Sequence, residues 1–297
     1  MATHELTRTF GETKAVASGR ARQRLLAGLP LTERRVELAG AATVLLEGGD
    51  GPPLVLLHGG IECGGVYWAP IVTGQARSHR LIVPDVPGLG ESEPVARLDS
   101  EAFGAWLAAL LRLIGDEKPA LVAHSLVGSL AARFAALHGH TLSKLVIYGT
   151  PGIGPYRMPL GLLAAAIVLD LWPSERNNER FERWAMHDLA RTRQRDAGWF
   201  DAFNTYSLSL ASVPRVKRTM RRLIQTGTKQ IPLGELRSVT VPAALLWGRH
   251  DRMVPLHLAE WASGRLGWPL HIVEAAGHVP HLEQPEACAR TLSAALA

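Results

Sequence analysis

Ala120-Leu121-Val122-Ala123-His124-Ser125-Leu126-Val127-Gly128 runs from a short apolar segment through a serine into the helical pattern of residues 130–137. A brief apolar run bounded by a turn reads as a buried strand, and the switch to 3.6-residue spacing marks a strand-to-helix turn. Ser125 stands at that turn, at the positive end of a helix dipole, with its hydroxyl projected away from the sheet. The stretch approaches the pattern G-x-S-x-G without matching it. Ala123 and Val127 occupy the glycine positions, and Gly128 comes one place late. Alone, the turn is equally compatible with a helix-capping serine.

Working outward, the same rhythm repeats. Pro53-Leu54-Val55-Leu56-Leu57 runs into His58-Gly59-Gly60, and Arg80-Leu81-Ile82-Val83 ends at Pro84-Asp85. Leu145-Val146-Ile147-Tyr148, Ala243-Ala244-Leu245-Leu246-Trp247 and Leu270-His271-Ile272-Val273 supply later strands. Residues 34–38 and 43–46 read as an antiparallel edge pair turning at Gly40. Phe103, Trp106, Leu107, Leu110, Leu111 and Ile114 recur at helical spacing over 100–114. Strands alternating with helices specify an α/β fold with a mostly parallel central sheet of about eight strands. Between Tyr148 and Ala243 the strand rhythm stops, and residues 160–171, 175–190, 197–210 and 213–225 read as helices. The expected organisation is an N-terminal helical extension (1–32), an α/β core (33–151 and 237–297) and a helical cap (152–236). Such a cap would lie over the carboxyl ends of the strands, where open α/β sheets bind ligands.

Composition narrows the class. The 297 residues are 47% hydrophobic and 20% charged, which excludes a disordered tail or a collagen-like repeat. Two cysteines, Cys63 and Cys288, make no disulfide framework and no CxxC zinc site. The net charge of +5 has one local concentration, Arg215, Lys217, Arg218, Arg221 and Arg222. That cluster reads as a solvated helix face, with phosphate or membrane-surface contact as the alternative; no nucleic-acid motif accompanies it. Glu5, Arg8, Glu12 and Lys14 stand where a secretory leader needs an apolar core, and the run Pro159 to Leu169 ends at Asp170, short of the ~20 residues of a span. The expectation is a cytoplasmic protein with no stable membrane insertion. No P-loop, dinucleotide fingerprint or metal-ligand spacing is visible, so no cofactor and no metal are expected.

Chemistry enters with the residues that follow the later strands. Trp247-Gly248-Arg249-His250-Asp251 puts a carboxylate past one strand, and Ala275-Ala276-Gly277-His278 puts an imidazole past the last. Ser125, Asp251 and His278 then meet at one edge of the sheet. A serine hydroxyl needs a base; His278 would take its proton, and Asp251 would fix the histidine tautomer. Backbone N–H groups of Gly60 or Ile61, with that of Leu126, would face a developing oxyanion. His58 and Asp85 read as structural loop residues. Glu62, His124 and Val127 are candidate substrate-binding positions, and Glu62 and Cys63 read equally well as loop residues without contact to substrate.

The chain resembles the α/β-hydrolase superfamily with a helical cap, over roughly residues 33 to 297. The resemblance rests on the serine turn, on Asp85-Val86-Pro87-Gly88-Leu89-Gly90-Glu91-Ser92, similar to the D-x-x-G-x-G-x-S loop of that superfamily, and on Gly277-His278 with Pro280-His281-Leu282-Glu283-Gln284-Pro285. It implies the α/β-hydrolase fold, the triad Ser125–His278–Asp251 and a serine hydrolase, most simply a carboxylic ester hydrolase acting on a small to medium hydrophobic substrate. The apolar residues of the cap read as pocket lining or cap core. Carbon–carbon bond hydrolysis, lactone opening or another non-ester reaction on the same triad is the alternative. A further alternative, motivated by Ala123 and Val127, is a catalytically weak ligand-binding protein on this fold.

Overall fold

A computed structural model describes residues 16–297. Residues 1–15, part of the expected N-terminal extension, lie outside the described residues; 16–26 are helical (α1), with Ala21 and Leu25 buried. The strands are β1 (Thr32–Leu38), β2 (Ala41–Gly48), β3 (Pro53–Leu57), β4 (Arg80–Pro84), β5 (Ala120–His124), β6 (Lys144–Tyr148), β7 (Ala243–Gly248) and β8 (Leu270–Val273). They form one eight-stranded sheet in the order β1-β2-β4-β3-β5-β6-β7-β8. Pairing is antiparallel for β1–β2 and β2–β4, and parallel from β4 to β8.

Local chemistry explains these elements. Leu38 pairs with Ala41, so Ala39-Gly40 is a two-residue hairpin loop. Both residues have positive φ (49° and 81°), the requirement of a turn matched to strand twist. Leu54–Leu57, Leu121–Ala123 and Leu145–Ile147 are buried to zero exposure, as expected of parallel strands covered on both faces. α3 (Ser100–Ile114) starts where the Asp99 side chain accepts the Ala102 N–H, and it buries all six of its predicted core residues. α2 (Ala69–Gln75) packs with α13 (Pro285–Leu296), and α3 packs beside α4 (Ser125–His138).

The crossover after β3 runs to β4 on one side of it, whereas the crossover after β4 returns to β5 on the other side. The carboxyl ends of β3 and β5 therefore flank a topological switch point, which leaves a crevice there. It holds His58-Gly59-Gly60 and His124-Ser125.

Between β6 and β7 lie α5 (Leu160–Leu171), α6 (Glu175–Ala185), α7 (Leu189–Arg195), α8 (Ala197–Ala211), α9 (Pro214–Gly227) and α10 (Leu233–Arg237). The single helix expected over 175–190 is two helices, broken at Met186–Asp188. α8 buries Phe200, Phe203 and Tyr206, and α9 packs against α4. Leu160, Leu163, Ile167, Leu171 and Trp172, expected in the pocket or the cap core, are exposed.

Candidate active site

β5 delivers the chain straight into α4, and Ser125 at the junction has φ 51°, the left-handed region an L-residue enters only under constraint. The turn is crowded at Gly128: a Cβ there would lie 2.0 Å from Oγ1 of Thr150, two residues past β6. Gly128 thus supplies the small residue that the turn needs. Val127 is fully buried in the core and is not among the residues that line the cavities above Ser125, contrary to the expectation of substrate contact. Leu126 is the second residue of α4, where N–H groups have no partner within the helix. Gly60 (φ 71°) packs against it, since a Cβ there would sit 3.3 Å from Leu126 Cδ1. The 59–61 loop and the residue after the serine are therefore neighbours.

The other two strand ends converge on Ser125. A Cβ on Gly248 would lie 1.9 Å from the Gly277 carbonyl, so only glycine lets the loops after β7 and β8 close on one another. His278 Nε2 is 2.9 Å from Ser125 Oγ, and His278 Nδ1 is 2.7 Å from Asp251 Oδ2. Asp251 Oδ1 accepts the N–H groups of Met253 and Val254 at 2.9 and 2.8 Å. These bonds leave Oδ2 for the imidazole. All three side chains are buried (8%, 4% and 6% exposed for Ser125, His278 and Asp251), which strengthens each polar contact.

Glu283, quoted in the sequence only as part of a motif, organises the histidine segment. Its carboxylate accepts the N–H groups of Gly277, His187 and Asp188 at 2.6, 2.7 and 3.2 Å. Burial raises its pKa, and those three donors oppose the shift. The His278 N–H donates to the Ala185 carbonyl at 2.7 Å, so the α6–α7 break rests directly on the histidine. Glu283→Ala strands three donors and is expected to destabilise the protein by about 3 kcal/mol in a urea titration, with Glu283→Gln less affected. Equal stability of the alanine variant and wild type would show that water replaces the carboxylate without loss.

Beneath the site lies a buried layer of rings. His124 Nε2 donates to the His278 carbonyl at 3.0 Å, and its Nδ1 faces Tyr67 Oη at 3.3 Å. Its ring occupies the space a Gly59 Cβ would need, 2.1 Å from Nδ1. His281 is bonded through Nδ1 to Tyr148 Oη at 2.9 Å. Burial drives both histidines well below the usual imidazole range, with the neighbouring His278 adding to the effect, so they are neutral.

His58 and Asp85 hold the adjoining loops. Val86 N–H donates to His58 Nε2 at 2.9 Å, and Asp85 accepts the N–H groups of Gly65 and Glu91. Burial lifts the Asp85 carboxyl to about 6 and lowers His58 to about 3. In the unfolded chain His58 titrates at 6.5. Between 6.5 and about 3 the unfolded state alone takes the proton, so the stability that neutral His58 contributes is complete above 6.5 and is lost as pH falls. Wild type is therefore expected to lose about 1.4 kcal/mol per pH unit relative to His58→Gln below that value. Parallel stability–pH curves for the two proteins would show that His58 binds its proton in the folded state.

Above the triad is a cavity of about 100 Å³ lined by Gly60, Ile61, Glu62, His124, Leu169, Phe181, Met186, Phe203, Met220, Met253 and His278, with Glu182 and Asn178. A larger cavity of about 360 Å³ adjoins it and shares Glu62, Leu169, Phe181 and Met220. Glu62 thus stands at the junction, its carboxyl pushed up by desolvation and further by the Asp170 charge. Glu182, which sequence reasoning missed, is lifted to about 7 by burial in spite of Arg193 at 3.0 Å. Cys63 is buried and free, its thiol pushed up by burial. Among the described residues no group of three or more His, Cys, Asp or Glu could hold a metal ion, and no helix is long and apolar enough to cross a membrane.

The chain is similar to several known proteins. The chain is 27% identical over 266 residues to 2-hydroxy-6-oxo-6-(2'-aminophenyl)hexa-2,4-dienoic acid hydrolase of Metapseudomonas resinovorans, covering 86% of this chain and 87% of that one. It is 28% identical over 291 residues to 2-hydroxymuconate semialdehyde hydrolase of Pseudomonas putida, covering 90% and 95%. The structure of a carboxylesterase from Bacillus subtilis superposes with a TM-score of 0.79 at 22% identity, covering 96% and 98%, which is a likeness of fold. The model of the alpha/beta hydrolase family matches residues 54–291, from β3 to the last helix and so through all three strand ends that meet at Ser125. This chain belongs to the alpha/beta hydrolase family.

Proposed function

We propose that this protein is a serine hydrolase that cleaves an ester or related acyl bond of a small to medium hydrophobic substrate. The observation that carries the reading is the continuous chain Ser125 Oγ–His278–Asp251, at 2.9 and 2.7 Å. Ser125 attacks the carbonyl carbon while His278 Nε2 takes its proton; Asp251 holds the proton on Nδ1 and stabilises the imidazolium. The N–H of Leu126, with that of Gly60 or Ile61, bonds the oxyanion. His278 then protonates the leaving group, and water, activated by the same nitrogen, releases the acid from Ser125. His124 is a positioning residue, which fixes the His278 backbone from below.

A second reading is favoured by the relatives' names. They describe oxo dienoic acids without an ester, an aryl ketone in one case and a semialdehyde in the other, whose hydrolysis breaks a carbon–carbon bond. The inner cavity argues against it here. Its acids are Glu62 and Glu182, with no lysine or arginine among the lining residues, so a substrate carboxylate beside His278 would find no cation to bond; Lys217 and Arg221 line only the outer cavity. Raised pKa values for both acids suit a neutral guest better.

The test is hydrolysis of p-nitrophenyl esters from acetate to octanoate, with fluorophosphonate labelling of the same protein. Turnover and labelling that both vanish in Ser125→Ala are expected. Labelling without ester turnover, combined with bleaching of a 6-oxo dienoate chromophore, would assign the carbon–carbon reaction instead. Absence of labelling would leave a binding protein.

A further inference from the structure

Two surface features of the inserted helices have no part in the chemistry proposed above. Leu160, Leu163, Ile167 and Leu171 of α5 recur at i, i+3, i+7 and i+11, one face of a helix. That face points to solvent: the four are 83%, 39%, 49% and 53% exposed, and Trp172 after them is 66% exposed. Of the eight large apolar side chains exposed among the described residues, five belong to this segment, so the pattern is a patch rather than ordinary scatter.

α9 lies alongside and is basic. Lys217 donates to the Asp170 carbonyl, and Arg221 pairs with the Asp170 carboxylate at 2.6 Å, which fixes the basic row next to the apolar stripe. Arg218 and Arg222, one turn apart, are exposed, and their guanidinium groups have no ion pair or hydrogen bond among the described residues. The outer cavity opens between the two helices, lined by Leu163, Ile167 and Leu171 on one side and by Lys217 and Arg221 on the other.

We infer that this face docks on an anionic lipid bilayer. The α5 stripe and Trp172 enter the boundary between headgroups and acyl chains, and Arg218 and Arg222 meet lipid phosphates. The charge pattern selects this occupant over a second copy of the chain. A two-fold contact through α5 would bring each basic row towards its own image, so like charges would oppose the apolar gain. α5 has 12 residues, too few to span, so the contact is interfacial. A cavity that opens at such a contact receives amphiphiles from the bilayer without their passing through water.

Co-sedimentation of the full chain with vesicles of phosphatidylcholine, alone or mixed with phosphatidylglycerol, tests this. The protein is expected to pellet with the mixed vesicles, to pellet weakly with the neutral ones, and to be released by added salt. Arg218→Glu with Arg222→Glu, and separately Leu160→Glu with Trp172→Glu, are each expected to lower partitioning on the order of tenfold or more. Circular dichroism and hydrolysis of a soluble ester should be unchanged, because none of these side chains lines the cavity at His278 or the one adjoining it. No pelleting with mixed vesicles, or equal pelleting of the variants, overturns the inference. So does a dimer in light scattering that Leu160→Glu with Trp172→Glu dissociates. Pelleting is read without turnover, so its outcome stands apart from that of the proposed hydrolysis.

Discussion

Replacing Ser125 by alanine is expected to lower kcat on a p-nitrophenyl ester by on the order of 10⁵-fold, with KM little changed. His278→Ala should fall about as far, and the double variant no further, because the proposed nucleophile and base, joined at 2.9 Å, would act as one unit. Losses that multiply in the double variant would mean that the two groups act independently. The same position carries a stability signature. With φ 51°, Ser125 sits where a Cβ is strained, and alanine keeps that Cβ. Ser125→Gly should be inactive as well, yet about 1 kcal/mol more stable than Ser125→Ala. Inactivity combined with this order of stability ties the lost activity to the hydroxyl and not to damage of the turn.

Asp251→Asn should fold as wild type and lose on the order of 10⁴ in kcat. The magnitude follows from the direction the amide must face. Asp251 Oδ1 accepts the Met253 and Val254 N–H groups, and an amide nitrogen could not. The amide oxygen is therefore held there, and the NH₂ takes the place of Oδ2, 2.7 Å from His278 Nδ1. His278 must then accept at Nδ1 and carry its proton on Nε2, where it donates to Ser125 instead of receiving from it. Near-wild-type activity in this variant would show that the ring is oriented by its other contacts, chiefly the His124 bond to the His278 carbonyl.

How much of this was legible depended on where the partners lie. Each residue of the Ser125–His278–Asp251 chain lies within five residues of the carboxyl end of an apolar strand, so parallel pairing brings the three to one edge, and the order of strands in the sequence sufficed. The break at Met186–Asp188 was not readable from periodicity. The Ala185 carbonyl is taken by the His278 N–H, and the N–H groups of His187 and Asp188 by Glu283, partners more than 90 residues away. One local sign did exist: the Asp188 side chain caps α7 by accepting the Arg191 N–H. The role of Gly128 was hidden because its constraint is Thr150, at the end of a neighbouring strand. Exposure of the α5 stripe was equally hidden, since periodicity gives the direction of an apolar face and not what covers it.

The contact between Ala185 and His278 bears on how family members could be recombined. A chimaera that exchanged everything between β6 and β7 would leave Gly277, His278 and Glu283 of one parent facing a foreign junction at 185–188. Those two stretches, distant in sequence, behave as a single heritable module. Grafts that carry them together should place the imidazole correctly, and grafts that separate them should yield folded but sluggish hybrids.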